Sequence, residues 1–250
     1  MLRTLALGLF ASALAFGEPA LVIPHVADGG GWRSTVAIFN GFSANISRVQ
    51  INFRGDDGIK TPFSITNYGT VSSLELDLMP ESSVYLETSG VSPTARMGWV
   101  EVVQLAGTPP VRGFAVFRQT VPGRPDFEAV SMGIKPAGTM TFPFDNTNGF
   151  VTSFAVVNLS QGSCTLGVAP LFDEFGTKLA AEHKLIGNLL ANGHMAFVST
   201  DRMPELTNKR GYLTFIPEVS CGVGGFAVLG LRFNPSGPFT NLLPLSMATP

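Results

Sequence analysis

Ile23-Pro24-His25-Val26-Ala27-Asp28-Gly29-Gly30-Gly31-Trp32-Arg33-Ser34-Thr35-Val36-Ala37-Ile38-Phe39-Asn40 runs from an apolar start through three glycines into an apolar strand that stops at an asparagine. A weaker copy follows in the second half of the chain: Phe142-Pro143-Phe144, then Asn148-Gly149-Phe150, then Thr152-Ser153-Phe154-Ala155-Val156-Val157-Asn158. Further matches come in the same order. Phe53 answers Phe172, Gly58-Ile59-Lys60 answers Gly176-Thr177-Lys178, and Gly98-Trp99-Val100 answers Gly211-Tyr212-Leu213. Gly113-Phe114-Ala115-Val116 recurs unchanged as Gly225-Phe226-Ala227-Val228, and Ser131-Met132 as Ser246-Met247. Ordered matches at a shift of roughly 115 residues read as an internal duplication. They divide the chain into a leader, 1–17, and two modules, 18–136 and 137–250. The linker, Lys135-Pro136-Ala137-Gly138-Thr139, is too short to give much reach.

Within each module the apolar period is two rather than 3.6. Leu74-Glu75-Leu76-Asp77-Leu78 alternates, and Ser83-Val84-Tyr85-Leu86-Glu87 is another short run of the same kind. Phe, Val, Ile and Thr dominate such segments, as residues that pack on a pleated surface do. Asp57-Gly58 between two apolar runs is a hairpin signal, with Asp173-Glu174-Phe175-Gly176 as its counterpart. Seven or eight strands per module predict an all-β fold of two tandem antiparallel, immunoglobulin-like β-sandwiches. Short helical turns are expected at Pro93-Thr94-Ala95-Arg96 and Met203-Pro204-Glu205-Leu206. A small outer-membrane barrel is the rival architecture. It wants longer strands with aromatic girdles than this pattern offers.

The chain has 250 residues, is 45% hydrophobic and 14% charged, and carries a formal charge of −2. Disorder is excluded by the apolar content. With no basic surplus, charge-driven nucleic-acid binding is not expected. Met1-Leu2-Arg3 followed by an uncharged run to Phe16, with small residues at Ala15 and Gly17, reads as a signal peptide cleaved before Glu18. No later stretch is long and apolar enough for a transmembrane helix. Export permits a disulfide, for which Cys164 and Cys221 are the only candidates; two separate buried thiols are the alternative.

The chemical inventory is thin. Three histidines (His25, His183 and His194) form no metal-ligand spacing, and no Gly-x-Ser-x-Gly elbow is present. Gly29-Gly30-Gly31 opens into a strand, not the helix that a phosphate loop requires, and so reads as a turn. Asp145-Asn146-Thr147-Asn148-Gly149 has the opening of a calcium loop without its later acid, and reads as an Asx turn. Arg54-Gly55-Asp56 is an adhesion tripeptide only by letter. The carboxylate pairs Asp56/Asp57 and Asp173/Glu174 read as solvated turn residues. Tyr68, Phe42 and Phe144 are candidate exposed aromatics for a sugar site. Trp32 and Trp99 align with Phe150 and Tyr212 and read as core residues of their own modules. No catalytic residue and no cofactor is expected.

Residues 23–40 resemble the opening of a module of secreted bacterial proteins of unknown function, which share an early Pro, a four-residue spacer, Gly-Gly-Gly-Trp and an apolar strand ending in Asn. The likeness is strong over 23–40, and the second module keeps only Phe142-Pro143, Gly149 and Asn158. It implies an exported β module and carries no catalytic residues. The expectation is a secreted, periplasmic or cell-surface protein, not an enzyme. It would serve binding, adhesion or envelope structure, with an extracellular partner that includes glycans among its candidates. A carbohydrate-binding or sugar-processing protein is the alternative.

Overall fold

The computed structural model describes residues 19–105, 107–168, 171–180, 183–218, 221 and 225–245. The leader 1–17 and the second Ser-Met pair lie outside them. The chain is all-β, its sheets are antiparallel, and none closes into a barrel. No helix among the described residues is long and apolar enough to cross a membrane.

The first half holds strands β1 (Pro19–Asp28), β2 (Trp32–Phe39), β3 (Ser47–Arg54), β4 (Phe63–Ile65), β5 (Gly69–Val71), β6 (Ser73–Leu78), β7 (Ser83–Glu87), β8 (Arg96–Gln104), β9 (Arg112–Gln119) and β10 (Phe127–Met132). The second holds β11 (Met140–Asp145), β12 (Val151–Asn158), β13 (Cys164–Val168), β14 (Leu171–Asp173), β15 (Lys178–Ala180), β16 (His183–Leu189), β17 (His194–Val198), β18 (Arg210–Pro217), β19 (Phe226–Phe233) and β20 (Phe239–Leu242). A short helix α1 (Ser199–Arg202) and a 3₁₀ turn at Pro204–Leu206 lie between β17 and β18. The helical turn expected near Met203 therefore exists. At Pro93–Arg96 the chain only bends before entering β8. Ten strands per half among the described residues exceed the expected seven or eight, because three-residue strands such as β4 and β5 are too short to leave a periodic signal.

Strand order in the first half is β1-β8-β3-β6 facing β10-β9-β2-β7. In the second half β11 pairs with β18, which continues to β13 and β16, and the facing sheet runs β20-β19-β12-β17. The two orders correspond position for position. Each pair of sheets closes on its own apolar layer. Ile23, Val36, Ile38, Val49, Ile51, Phe53, Val100 and Ala115 fill the first. Phe142, Phe144, Phe154, Val156, Leu166, Phe215, Phe226 and Val228 fill the second. Cys164 is joined to Cys221, Cα–Cα 4.6 Å, across a separation of 57 residues. Closing a loop of that length restricts the unfolded chain by about 4 kcal/mol in the chain-entropy model.

The asparagines that end β2 and β12 do the same work. Asn40 Nδ2 reaches the carbonyls of Asn45, Leu78 and Met79, while its Oδ1 accepts from the Phe42 amide. Asn158 Nδ2 reaches those of Gly162, Leu189 and Leu190, and its Oδ1 accepts from the Ser160 amide. Each amide thus replaces the ladder partners that a strand end and a turn would otherwise leave unmade. With the asparagines as reference, the identical tetrapeptides fall out of step. Arg112 lies opposite Phe39, whereas Ala227 lies opposite Val157. Gly113–Val116 and Gly225–Val228 are therefore offset by three places, and an odd offset exchanges the faces of a strand. Phe114 stacks on Phe39 outside the first sandwich, while Phe226 is buried inside the second.

The two halves meet through a third apolar region. Phe117, Ala129 and the half-buried Trp32 and Phe127 pack against Ala155, Leu229, Leu231 and Phe239. Val22 and Trp99 pack against Val157, Leu159 and Ala227. Backbone bonds pin the connecting segment at both ends: Ile134 exchanges two with Val22, and Ala137 two with Phe226. Trp32 and Trp99 are junction residues, which corrects their assignment to separate cores. Trp32 touches Phe117 and Phe239, at centroid distances of 6.1 and 5.9 Å, whereas Phe150 lies under the Arg232 guanidinium. Phe144, a candidate exposed aromatic, is buried in the second core.

Asn158→Ala is expected to lower the free energy of unfolding by about 2–4 kcal/mol, because three carbonyls lose their donor at a buried site. Asn40→Ala should cost the same within about 1 kcal/mol. Urea titration monitored by circular dichroism measures both.

Candidate functional site

A pocket of about 550 Å³ opens beside the junction, between the end of β1, the turn after β3, the β4–β5 hairpin and the segment leading into β8. Three carboxylates, Asp28, Asp56 and Asp57, and the hydroxyl residues Ser64, Thr70 and Ser89 are among its lining. The glycine run lies behind the Ser92–Thr94 part of the lining. Gly29 and Trp32 exchange two backbone bonds around Gly30-Gly31, and Gly29, Gly30 and Gly31 all have positive φ. A Cβ on Gly29 would strike the Thr94 carbonyl at 2.5 Å, so the run is a turn pressed against the loop before β8. Asp28, buried, accepts from the Gly90 amide at 2.7 Å and holds that loop in place. Asp57 accepts from the Ile59 amide. Ser89 Oγ is buried and makes no hydrogen bond within the described residues.

Asp56 joins the pocket to a buried pair of histidines that no sequence spacing brings together. His25 and His194 are 169 positions apart, yet His25 Nδ1 lies 3.2 Å from His194 Nε2. His194 Nδ1 lies 2.7 Å from Asp56 Oδ1, and the His194 amide donates to the Asp56 carbonyl. A carboxylate only accepts, so His194 Nδ1 carries a proton toward Asp56. The register of β1 shifts between Ile23 and Val26, and this irregularity turns His25 toward the second half, edge-on to Phe117. Burial, reinforced by the neighbouring His194, pushes the His25 pKa down to about 3. The ring is neutral at ordinary pH. Both side chains are sealed from the pocket, so neither offers a base to anything bound there.

The other marked residues are held by the protein itself. Arg54 of the Arg-Gly-Asp string donates to Glu101 at 2.7 Å and lies over the Trp99 ring at 5.6 Å, while Asp56 is tied to His194. The tripeptide is a joint between the halves rather than a free tip. Asp145 binds Arg232 and Thr147. Burial opposes its ionisation, but the hydrogen bonds from Thr147 and Arg232 hold its carboxyl below the ordinary range. Asn148 and Gly149 have the positive φ of a turn. No group of three or more His, Cys, Asp or Glu among the described residues is placed to hold a metal ion. Asp173 caps its own turn by accepting from the Phe175 and Thr177 amides. Tyr68 and Phe42 are exposed.

No family model, curated protein or solved structure matches this chain.

The buried His25 gives a pH signature. Its native pKa lies below that of the unfolded chain, so unfolding takes up a proton between about pH 6.5 and 3. Its contribution is complete above pH 6.5 and is lost as the pH falls toward 3, on the order of 5 kcal/mol in all. His25→Gln keeps a hydrogen-bonding group for His194 and does not titrate. Thermal melts of this variant should show a shallower fall in Tm from pH 7 to 4 than the parent, and an equal fall would contradict the assignment.

Proposed function

We propose that the chain is an exported, non-catalytic protein of two tandem immunoglobulin-like β-sandwich modules, 18–136 and 137–250, that works through its surfaces in binding, adhesion or envelope structure. Matched strand orders and the two asparagine clamps support descent from one duplicated module. The Gly-Gly-Gly-Trp opening supports its likeness to modules of secreted bacterial proteins. The disulfide suits an oxidising compartment.

The observation that carries the reading is the outer face of the β10-β9-β2-β7 sheet. Phe39 stacks on Phe114 at 5.7 Å and meets Tyr85 edge-on at 6.1 Å, and the Tyr85 ring is largely in solvent. An outward sheet face ordinarily carries polar side chains, so a contiguous aromatic group there marks a contact surface. A second reading, a polyhydroxylated ligand in this pocket, rests on the Ser89 hydroxyl, without a partner among the described residues, together with the carboxylates and other hydroxyls that line the pocket.

The exported chain should begin at Glu18 by mass and co-sediment with isolated cell envelopes. Tyr85→Ser with Phe114→Ser should release it at least about tenfold, an effect of roughly 1.4 kcal/mol. Protein that stays in the supernatant contradicts the surface reading. Selective glycan binding weakened by Ser89→Ala, with envelope binding unchanged in the aromatic double variant, supports the second.

A further inference from the structure

The junction inside the chain joins two unlike surfaces, and each has a counterpart on the other half. One surface belongs to the first half: Val22, Trp99, and the turn at Gly58. The other belongs to the second half: Val157, Ala227, and the turn at Ala191 and Asn192. They interlock closely. Trp99 Nε1 donates to the Asn192 carbonyl at 2.9 Å, and a Cβ on Gly58 would collide with the Ala191 carbonyl.

Strand pairing identifies the counterparts. Gly98 and Gly211 each sit under a carbonyl of the next strand, those of Arg54 and Phe172, and a Cβ at either glycine would collide with that oxygen. Tyr212 therefore occupies the place of Trp99, and Phe172 that of Arg54. The Gly58 amide bonds the Gly55 carbonyl, and the Gly176 amide bonds the Asp173 carbonyl, both at 3.0 Å. Gly58 and Gly176 are the same turn position, with φ of 78° and 76°. The covering surface repeats in part: Phe39 stands for Val157, Arg112 for Ala227, and Glu81 for Asn192, with φ of 56° and 54° at the last pair.

What differs is cover. Trp99 is fully buried, whereas Tyr212 is 38% exposed and, among the described residues, stacks only on Phe172 within its own sheet. A Cβ added to Gly176 would meet no described atom within 4 Å, where one on Gly58 is blocked. Bulk has moved in a complementary sense. The open counterpart of Val157 is larger, Phe39, with Tyr85 edge-on beside it, and that of Trp99 is smaller, Tyr212.

We infer that the chain associates head to tail with further copies of itself: the Tyr212–Phe172–Gly176 surface of one copy docks on the Phe39–Tyr85–Phe114 face of the next, repeating the junction already present within each chain. The inference rests on the surface reading above and names its partner. The two surfaces differ and lie on opposite halves, so the contact is heterologous, and every copy keeps one free surface at each end. Its product is an open or ring-closed array rather than a two-fold dimer.

The test is sedimentation velocity of the disulfide-intact exported chain between about 5 and 500 μM, a range that spans micromolar contacts. The wild type should sediment faster with concentration and pass beyond dimer. Tyr85→Glu and Tyr212→Glu alter opposite ends at exposed sites, and each alone should remain monomeric with an unchanged melting temperature. Mixed in equal amounts they should form a heterodimer and stop, because one retains each surface. A wild-type monomer throughout, variants that still associate, or a mixture that stays monomeric would each overturn the inference. A monomeric chain that still co-sediments with envelopes overturns it alone; one that does neither overturns the surface reading as well.

Discussion

Trp99 is buried completely, and the surface that buries it comes from the other half of the chain. Its indole N–H needs an acceptor once water is gone, and the Asn192 carbonyl supplies one at 2.9 Å. The residues around this bond follow from it. Arg54 covers one side of the ring and is itself neutralised by Glu101, which also accepts from Asn52. Asp56, two residues on, engages His194. Gly58 lets the turn approach the Ala191 carbonyl, where any side chain would collide. Truncating a buried aromatic of this size costs about 3–5 kcal/mol, a large share of the net stability of an ordinary domain. Separating the halves would expose the same ring together with Trp32 and Phe117, so each half depends on the other.

Local features were legible in the sequence because their causes are local. The alternating runs became strands. Asp57-Gly58 became a turn because glycine alone accepts its φ without strain, and Gly29-Gly30-Gly31 became one for the same reason. The correspondence between halves was legible in outline from Asn40 and Asn158, whose amides make matching bonds. The longest identical string misled. Gly-Phe-Ala-Val occurs twice, yet the copies are three places out of register, because a strand specifies which face a residue takes and not which letters it uses. Trp32 and Trp99 carried the mark of buried aromatics without any mark of what buries them. Phe144 looked free only because its partners, Phe142, Phe215 and their neighbours, are set by the fold rather than by nearness in the chain.

The candidate site was the least legible part. Asp28, Asp56 and Asp57 were visible as acids near turns, but their convergence depends on β1, β3 and the approach to β8 meeting beside the junction. The histidine pair is non-local and depends on a strand irregularity that period-two alternation does not encode. In the folded chain these histidines seal a joint and the acids hold loops, so the groups with chemical potential are spent on architecture. The Phe39, Tyr85 and Phe114 group faces solvent among the described residues, which is the physical basis for the proposed surface role.

A junction built this way makes the two halves of the chain one cooperative unfolding unit. Differential scanning calorimetry of the oxidised chain tests it most directly. One transition is expected near neutral pH, with equal calorimetric and van 't Hoff enthalpies of about 160 kcal/mol for a chain of this size near 60 °C. Two resolved transitions, each with about half that enthalpy, would show that the halves melt independently and that the buried Trp99 contact does not govern the fold.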